Sequence, residues 1–334
     1  MRAMADVDDS EHGSPDPRRQ RHGAADAEAP GEIPAQGWGM LLRRAAKHVV
    51  VARLPLLSAG IAFFAVLSIA PVLVTALSVY GAVNTPTQAL DQLSRVAEML
   101  PAQVQPIVAD QLTSITTAST KVLTVRGLAG LAVALWTATT AMVSLIDVLT
   151  VAYHETETRG FGRRIVLAGE FVLGGALLLG GIITAAGVAS RTLPDAPEVV
   201  RAVAPLIVWL ALAALMSAVL AVLYRFGPDR KHARWRWTTW GAMGATGMWL
   251  ATSVALFAYV QRLGTYESTY GSLAGVAISM FWLWLTVLLV VTGAAVNGEA
   301  ERQTARDSTV GPERPLGQRG AVVADTLPPQ PGEP

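Results

Sequence analysis

Residues 265–302 read TYESTYGSLAGVAISMFWLWLTVLLVVTGAAVNGEAER, and the fold class follows from how this stretch divides. It opens on a Tyr/Gly/Ser-rich turn. The 24 residues from Leu273 to Val296 then carry no charge, and the run closes on Asn297, Glu299 and Glu301. At about 1.5 Å per residue, such a helix extends roughly 36 Å, enough to cross a hydrocarbon core of about 30 Å. The stretch therefore predicts a membrane span with polar ends, around which further spans pack.

Composition agrees. Of the 334 residues, 52% are hydrophobic and only 15% charged, against about 25% charged in a typical soluble domain. The chain has too few charges to cover a surface that faces water. It contains no cysteine, which excludes disulfides, thiolate metal sites, Fe–S clusters and cysteine nucleophiles. No cleavable signal peptide is expected, because the first apolar run begins near Val49, behind a long polar segment.

Moving outward along the chain, residues 1–37 are rich in Ala, Asp, Arg, Pro and Gly and predict a disordered tail. Residues 38–53 are amphipathic and basic, suiting a helix that lies on the membrane surface. Six spans are expected, at about 56–83, 127–150, 165–190, 203–224, 238–259 and 273–296, giving a membrane domain over 38–303. The fold class is all-α and polytopic. Pro71 interrupts the first span, freeing a carbonyl that Ser68 is placed to satisfy. Between spans one and two, residues 84–126 show helical apolar spacing that predicts two short surface amphipathic helices. In span three, Ala176, Gly180 and Thr184 form a small-residue stripe suited to close helix packing, and Gly241 and Ala245 give span five another. Residues 304–334 are polar and Pro/Gly/Arg-rich and predict a second disordered tail.

Fourteen of the Lys and Arg residues flanking the spans fall on one side and six on the other. The positive-inside rule then puts both termini in the cytoplasm, as an even number of spans also requires.

Polar groups within or at the ends of spans are costly and become the candidate site residues. Asp147 lies near the end of span two and Glu170 a similar depth into span three, with Arg159, Arg163 and Arg164 at the mouth between them. They predict either a cytoplasmic gate for an ion or substrate, or carboxylates paired with arginine at the interface. Asn297 and Glu299, with Glu301, offer a headgroup or partner contact, a lock between the last helix and the inner loops, or simply a water-facing helix end. Tyr266 and Tyr270, with Ser272, line a substrate entrance or form an aromatic belt. The basic loop Arg225–Trp237 is explained first by anionic lipid headgroups rather than nucleic acid. The histidines are scattered, and the chain has no HExxH, G-x-S-x-G or Walker lysine motif, so no metal, cofactor or enzymatic chemistry is expected.

Three segments together resemble the YihY/BrkB family of bacterial inner-membrane proteins. The first is Thr269–Gly275 (TYGSLAG) with Gly271, followed by Trp282 and Gly293–Arg302 (GAAVNGEAER). The others are Ser58–Pro71 (SAGIAFFAVLSIAP) and Leu223–Arg230 (LYRFGPDR), and Tyr153 matches a tyrosine the family places after span two. The sequence departs from the pattern at Ala295, where the family carries an acidic residue. The resemblance implies a six-span protein of the cytoplasmic membrane, associated with the cell envelope and with virulence, some members bearing a legacy ribonuclease BN label. The expected function is transport, or assisted movement, of a lipid-like or small amphipathic solute. The alternatives are a non-transporting scaffold for envelope integrity and a membrane-embedded hydrolase or ribonuclease. Expected partners are membrane lipids, with anionic headgroups at the cytoplasmic face; a homo-oligomer is left open. With Ala295 uncharged, span six is expected to pack and anchor, leaving any charge chemistry to Asp147 and Glu170.

Overall fold

The computed structural model describes residues 27–83, 120–193, 197–262 and 273–328. A helix α1 at Ala35–Val51 precedes six long helices: α2 (Leu54–Val83), α3 (Thr120–Ala152), α4 (Phe161–Thr192), α5 (Glu198–Phe226), α6 (Trp235–Arg262) and α7 (Leu273–Glu301). All six contain windows long and apolar enough to cross a membrane. A single turn, α8, closes the described chain at Val322–Asp325. Among the described residues there is no strand, only an isolated bridge between Ala233 and Thr309. The fold is an all-α polytopic membrane protein. Large apolar side chains such as Leu177 (77% exposed) and Trp209 (64%) stand on its outer surface, where lipid rather than water is the matching solvent.

The helices run past the expected span limits, most tellingly at α7, which continues through Asn297 and Glu299 to Glu301. It can do so because these polar residues find partners inside the protein. Pro71 lies within α2 as expected. The Ser68 hydroxyl, however, donates to the Ala65 carbonyl (2.7 Å) and so does not satisfy the carbonyl freed by the proline. Between α1 and α2 the chain turns sharply at Arg53, whose φ of 53° is left-handed.

α7 is the central helix and packs on α1, α2, α3 and α6. α2 lies along α3, α4 packs on α3, and α5 packs on α6. α4 and α5 are consecutive in sequence yet make no extended contact with each other among the described residues. The buried core collects at one end of the bundle, where Leu54, Leu149, Tyr153, Tyr224, Val291 and Ala295 meet. This is the end at which the arginine-rich connections emerge, and it is called the basic end below.

Two small-residue faces were expected, and the structure uses them differently. Gly241 and Ala245 on α6 press against α7: a Cβ on Gly241 would come within 2.5 Å of the Gly293 carbonyl, and one on Gly293 within 2.7 Å of the Ala245 Cβ. The Ala176–Gly180–Thr184 stripe on α4 is exposed, with nothing within 4 Å of a Cβ built on Gly180. It packs on no helix of this chain among the described residues.

Both tails differ from the expectation of disorder where they are described. Ala27 and Ile33 are buried with Leu41, Ala233, Trp237 and Ala300, so α1 is docked on the protein rather than lying free on a membrane surface. Residues 304–328 fold back over the basic end. The guanidinium of Arg319, itself buried, donates to the carbonyls of Ala305, Arg306, Arg314 and Ala324. Asp325 accepts from the backbone N–H groups of Gly317, Arg319 and Gly320. Composition misled here because side-chain-to-backbone hydrogen bonds, not apolar burial, order this segment. The amphipathic helices expected over 84–126 fall mostly outside the described residues; from Thr120 on, the chain is already in α3.

Candidate functional site at the basic end of α7

Residues two apart on a helix point about 200° away from each other, so Asn297 and Glu301 face one side of α7 and Glu299 the other. Asn297 is buried against α6. Its Oδ1 accepts the Gly241 N–H (2.8 Å) and its Nδ2 donates to the Thr238 carbonyl (3.1 Å). Gly241 is required at this position, since a Cβ there would lie 2.4 Å from Asn297 Oδ1.

One turn further, Glu301 accepts two hydrogen bonds from Arg230, at 2.9 and 2.6 Å, and one from Ser308 in the C-terminal segment. Arg230 also lies over the ring of Tyr153, 5.2 Å from its centroid. Burial pushes the Tyr153 phenol well above its usual range, despite the neighbouring Arg230, so it stays neutral.

On the opposite face, Glu299 is 2% exposed and accepts from Arg44 Nε (3.0 Å), His154 Nε2 (3.0 Å) and Arg302 (3.1 Å). His154 stacks on His48 of α1, with ring centroids 3.8 Å apart, and His48 Nε2 lies 3.1 Å from the Val151 carbonyl. Burial and the neighbouring His154 hold the His48 pKa below 6.5. α7 is thus gripped from both sides, by α6 and the 227–234 loop on one and by α1 and the end of α3 on the other. Of the three roles open for Asn297 and Glu299, the geometry is that of a lock. Burial excludes a water-facing helix end, and the charge expected at Asp147 and Glu170 is concentrated here instead.

A second network joins the α3–α4 and α5–α6 loops at the basic end. Arg159 pairs with Glu157 (2.7 Å) and lies 3.6 Å from Asp229, which also accepts the Thr158 N–H (2.7 Å). Despite some burial, the bonds from Thr158 and the charge of Arg159 hold the Asp229 carboxyl below its ordinary range.

The two-carboxylate gate is not assembled. Both Asp147 oxygens accept from Arg164 Nη1 at 2.9 Å in a partly exposed pair. Glu170 is exposed and makes no ion pair among the described residues, and Arg163 is likewise exposed. Helical spacing predicts depth in the membrane but not which way each carboxylate turns. Tyr266, Tyr270 and Gly271 lie outside the described residues. Arg44, His48, His154 and Arg230 escaped prediction as site residues; for Arg230 the sequence signals were the LYRFGPDR motif and its place in the basic loop. Of the five cations in the basic loop, two are engaged by side-chain bonds within the protein: Arg230 by Glu301, and Arg234 by the Thr309 carbonyl (3.1 Å). Among the described residues no three His, Asp or Glu side chains converge as a metal site would require.

Away from this lock, α4, α5 and α6 enclose an apolar groove of about 310 Å³, lined by Leu178, Ile182, Trp209, Met216, Thr246 and Trp249 among others. Two of its polar groups bond within the protein: Thr246 Oγ1 accepts from Ser217 (3.0 Å), and Trp249 Nε1 donates to Thr286 (3.0 Å).

Residues 45–316 match the family model described as virulence factor BrkB. The chain is 27% identical over 248 residues to the ribonuclease-like protein YfkH of Bacillus subtilis, covering 72% of this chain and 87% of that one. It is 28% identical over 253 residues to a UPF0761 membrane protein of Delftia acidovorans, covering 73% of this chain but only 58% of the relative. A UPF0761 membrane protein of Tolumonas auensis is 35% identical over 75 residues, 22% of this chain and 24% of that one. No solved structure matches.

Proposed function

The chain belongs to the virulence factor BrkB family, and we propose that it moves, or helps to move, a lipid-like solute in the bacterial cytoplasmic membrane, with its basic end in the cytoplasm. The apolar groove between α4, α5 and α6 carries this reading. Consecutive helices that fail to pack on each other leave a lateral opening in the hydrocarbon, and an acyl chain is the occupant available there. α4 is held through α3 and α5 through α6, while the lock fixes α1, α3, α6 and α7 at one end. At that end the Tyr224 hydroxyl also holds α5 to the Val290 carbonyl of α7 (2.6 Å), so α4 and α5 are the helices left to separate away from it. The positive-inside bias of the flanking arginines supports the orientation.

No catalysis is assigned. Glu299 and Glu301, the buried carboxylates of the basic end, are already saturated by arginine, which leaves neither poised as a base for the ribonuclease chemistry suggested by the name of YfkH. A scaffold role is the second reading, favoured by the same lock, which ties α1, α3, α6, α7 and tail segments together at one face.

Reconstitution tests the choice. Full-length protein in liposomes containing fluorescently tagged phospholipid should accelerate exchange between leaflets. Ala213 lines the groove on α5, and Ala213→Trp, which fills it, should slow that exchange. Asp147→Asn and Glu170→Gln should leave it unchanged. Exchange no faster than in protein-free liposomes would favour the scaffold.

A further inference from the structure

Arg225, in the last turn of α5, stands apart from the other arginines of the basic end. Arg44, Arg159, Arg164, Arg230 and Arg302 each reach a carboxylate. Arg225 makes no ion pair or side-chain hydrogen bond among the described residues, although its Nε and Nη1 are buried. Its guanidinium lies over the Trp235 ring at 4.3 Å and beside Phe226 at 5.5 Å. Those two rings meet edge to face at 6.2 Å. An aromatic clamp holds the cation, but no anion completes it. Two buried guanidinium nitrogens without an acceptor are costly, while the residue as a whole is only half-buried and open to a ligand.

The clamp is continuous with the groove. Val219 lines the groove on α5, and Phe226 lies two turns further along nearly the same face, about 10 Å away at 1.5 Å per residue. Thr246 and Trp249 line it on α6, and Trp235 lies three turns before Thr246 on that face, about 16 Å away. One strip of surface thus runs from a cation at the end of the span to an apolar groove in its middle. Phe226 and Trp235 are partly exposed at its rim. A small inorganic anion would use only the clamp and a neutral hydrocarbon only the groove; an anionic amphiphile uses both.

We propose that this strip binds one anionic phospholipid from the leaflet at the basic end, its phosphate on Arg225 and an acyl chain in the groove between α4, α5 and α6. The site rests on the groove being open to lipid, as the proposed function also requires, but it does not require that lipid be moved.

The test is native mass spectrometry of the full-length protein in detergent with equimolar phosphatidylglycerol and phosphatidylcholine. The wild type should retain phosphatidylglycerol preferentially. Arg225→Gln, which removes an unpaired charge and leaves the Arg230–Glu301 lock intact, should cut that preference about fivefold, the expected share of one basic residue at a membrane surface. Arg225→Lys keeps charge but not planar stacking and should fall between the two. Ala213→Trp should reduce retention of both lipids. Undiminished preference in Arg225→Gln, or displacement of the lipid by millimolar inorganic phosphate alone, would overturn the site. If binding behaves as expected while liposome exchange is absent, the transport reading fails and the site stands.

Discussion

Arg230 and Glu301 meet in a two-point ion pair at 2.9 and 2.6 Å, with side chains only 2% and 1% exposed. They are 71 residues apart in sequence, and between them they tie the loop after α5 to the last turn of α7. Removing one partner leaves the other charge buried and unpaired. Glu301→Gln should therefore destabilise the protein by about 3–5 kcal/mol, whereas replacing both residues with methionine should recover most of the loss. Thermal unfolding in detergent measures both. A double variant no better than the single one would mean that the pair contributes more than the relief of its own desolvation.

The close approach of α6 and α7 predicts a contrast between two glycines. Gly241→Ala drives a methyl group into Asn297 and the Gly293 carbonyl and should cost about 1–3 kcal/mol as an overpacked contact. Gly180→Ala meets open space and should stay within about 0.5 kcal/mol of wild type or stabilise α4 slightly. Equal melting temperatures for the two variants would contradict the packing described.

Docking of α1 should weaken in acid. The folded pKa of His48 lies below its unfolded value of about 6.5, because burial and the neighbouring His154 disfavour the charged ring. Arg302 acts in the same direction, while the Val151 carbonyl and Glu299 oppose it. The unfolded state binds the proton more readily, so the stability His48 contributes is complete above about pH 6.5 and is lost as pH falls through the folded pKa. Protection factors for the amides of 41–48, which divide out the intrinsic pH dependence of exchange, should fall between pH 7.5 and 5.5, and His48→Gln should flatten that dependence.

Arg319 organises the folded C-terminal segment through four backbone carbonyls. Arg319→Ala should release the segment, making Arg306 and Arg314 rapidly accessible to trypsin while the six membrane helices keep their protease resistance. Unchanged cleavage would place the hold of the segment in Asp325 and the Ser308–Glu301 contact instead.

Hydropathy by itself determined the six spans, because an apolar run long enough to cross a bilayer has few other stable states in a chain this poor in charge. The sequence was also sufficient for the small-residue contact through Gly241 and Ala245, and for recognising 265–302 as the stretch that carries the family signature. Tertiary structure alone decided what the polar ends of the spans do. Glu299 takes Arg44 from 255 residues away and His154 from 145 residues away, pairings that no local period encodes. Asp147 and Glu170 fit a gate by depth but not by rotation about their helices, and rotation is set by neighbours. Residues 304–328 looked disordered because their stability comes from directed hydrogen bonds of Arg319, Asp307 and Asp325, which composition does not register. The unpaired cation at Arg225 became visible only once Asp147, Glu157, Glu299 and Glu301 were seen to be taken by other arginines.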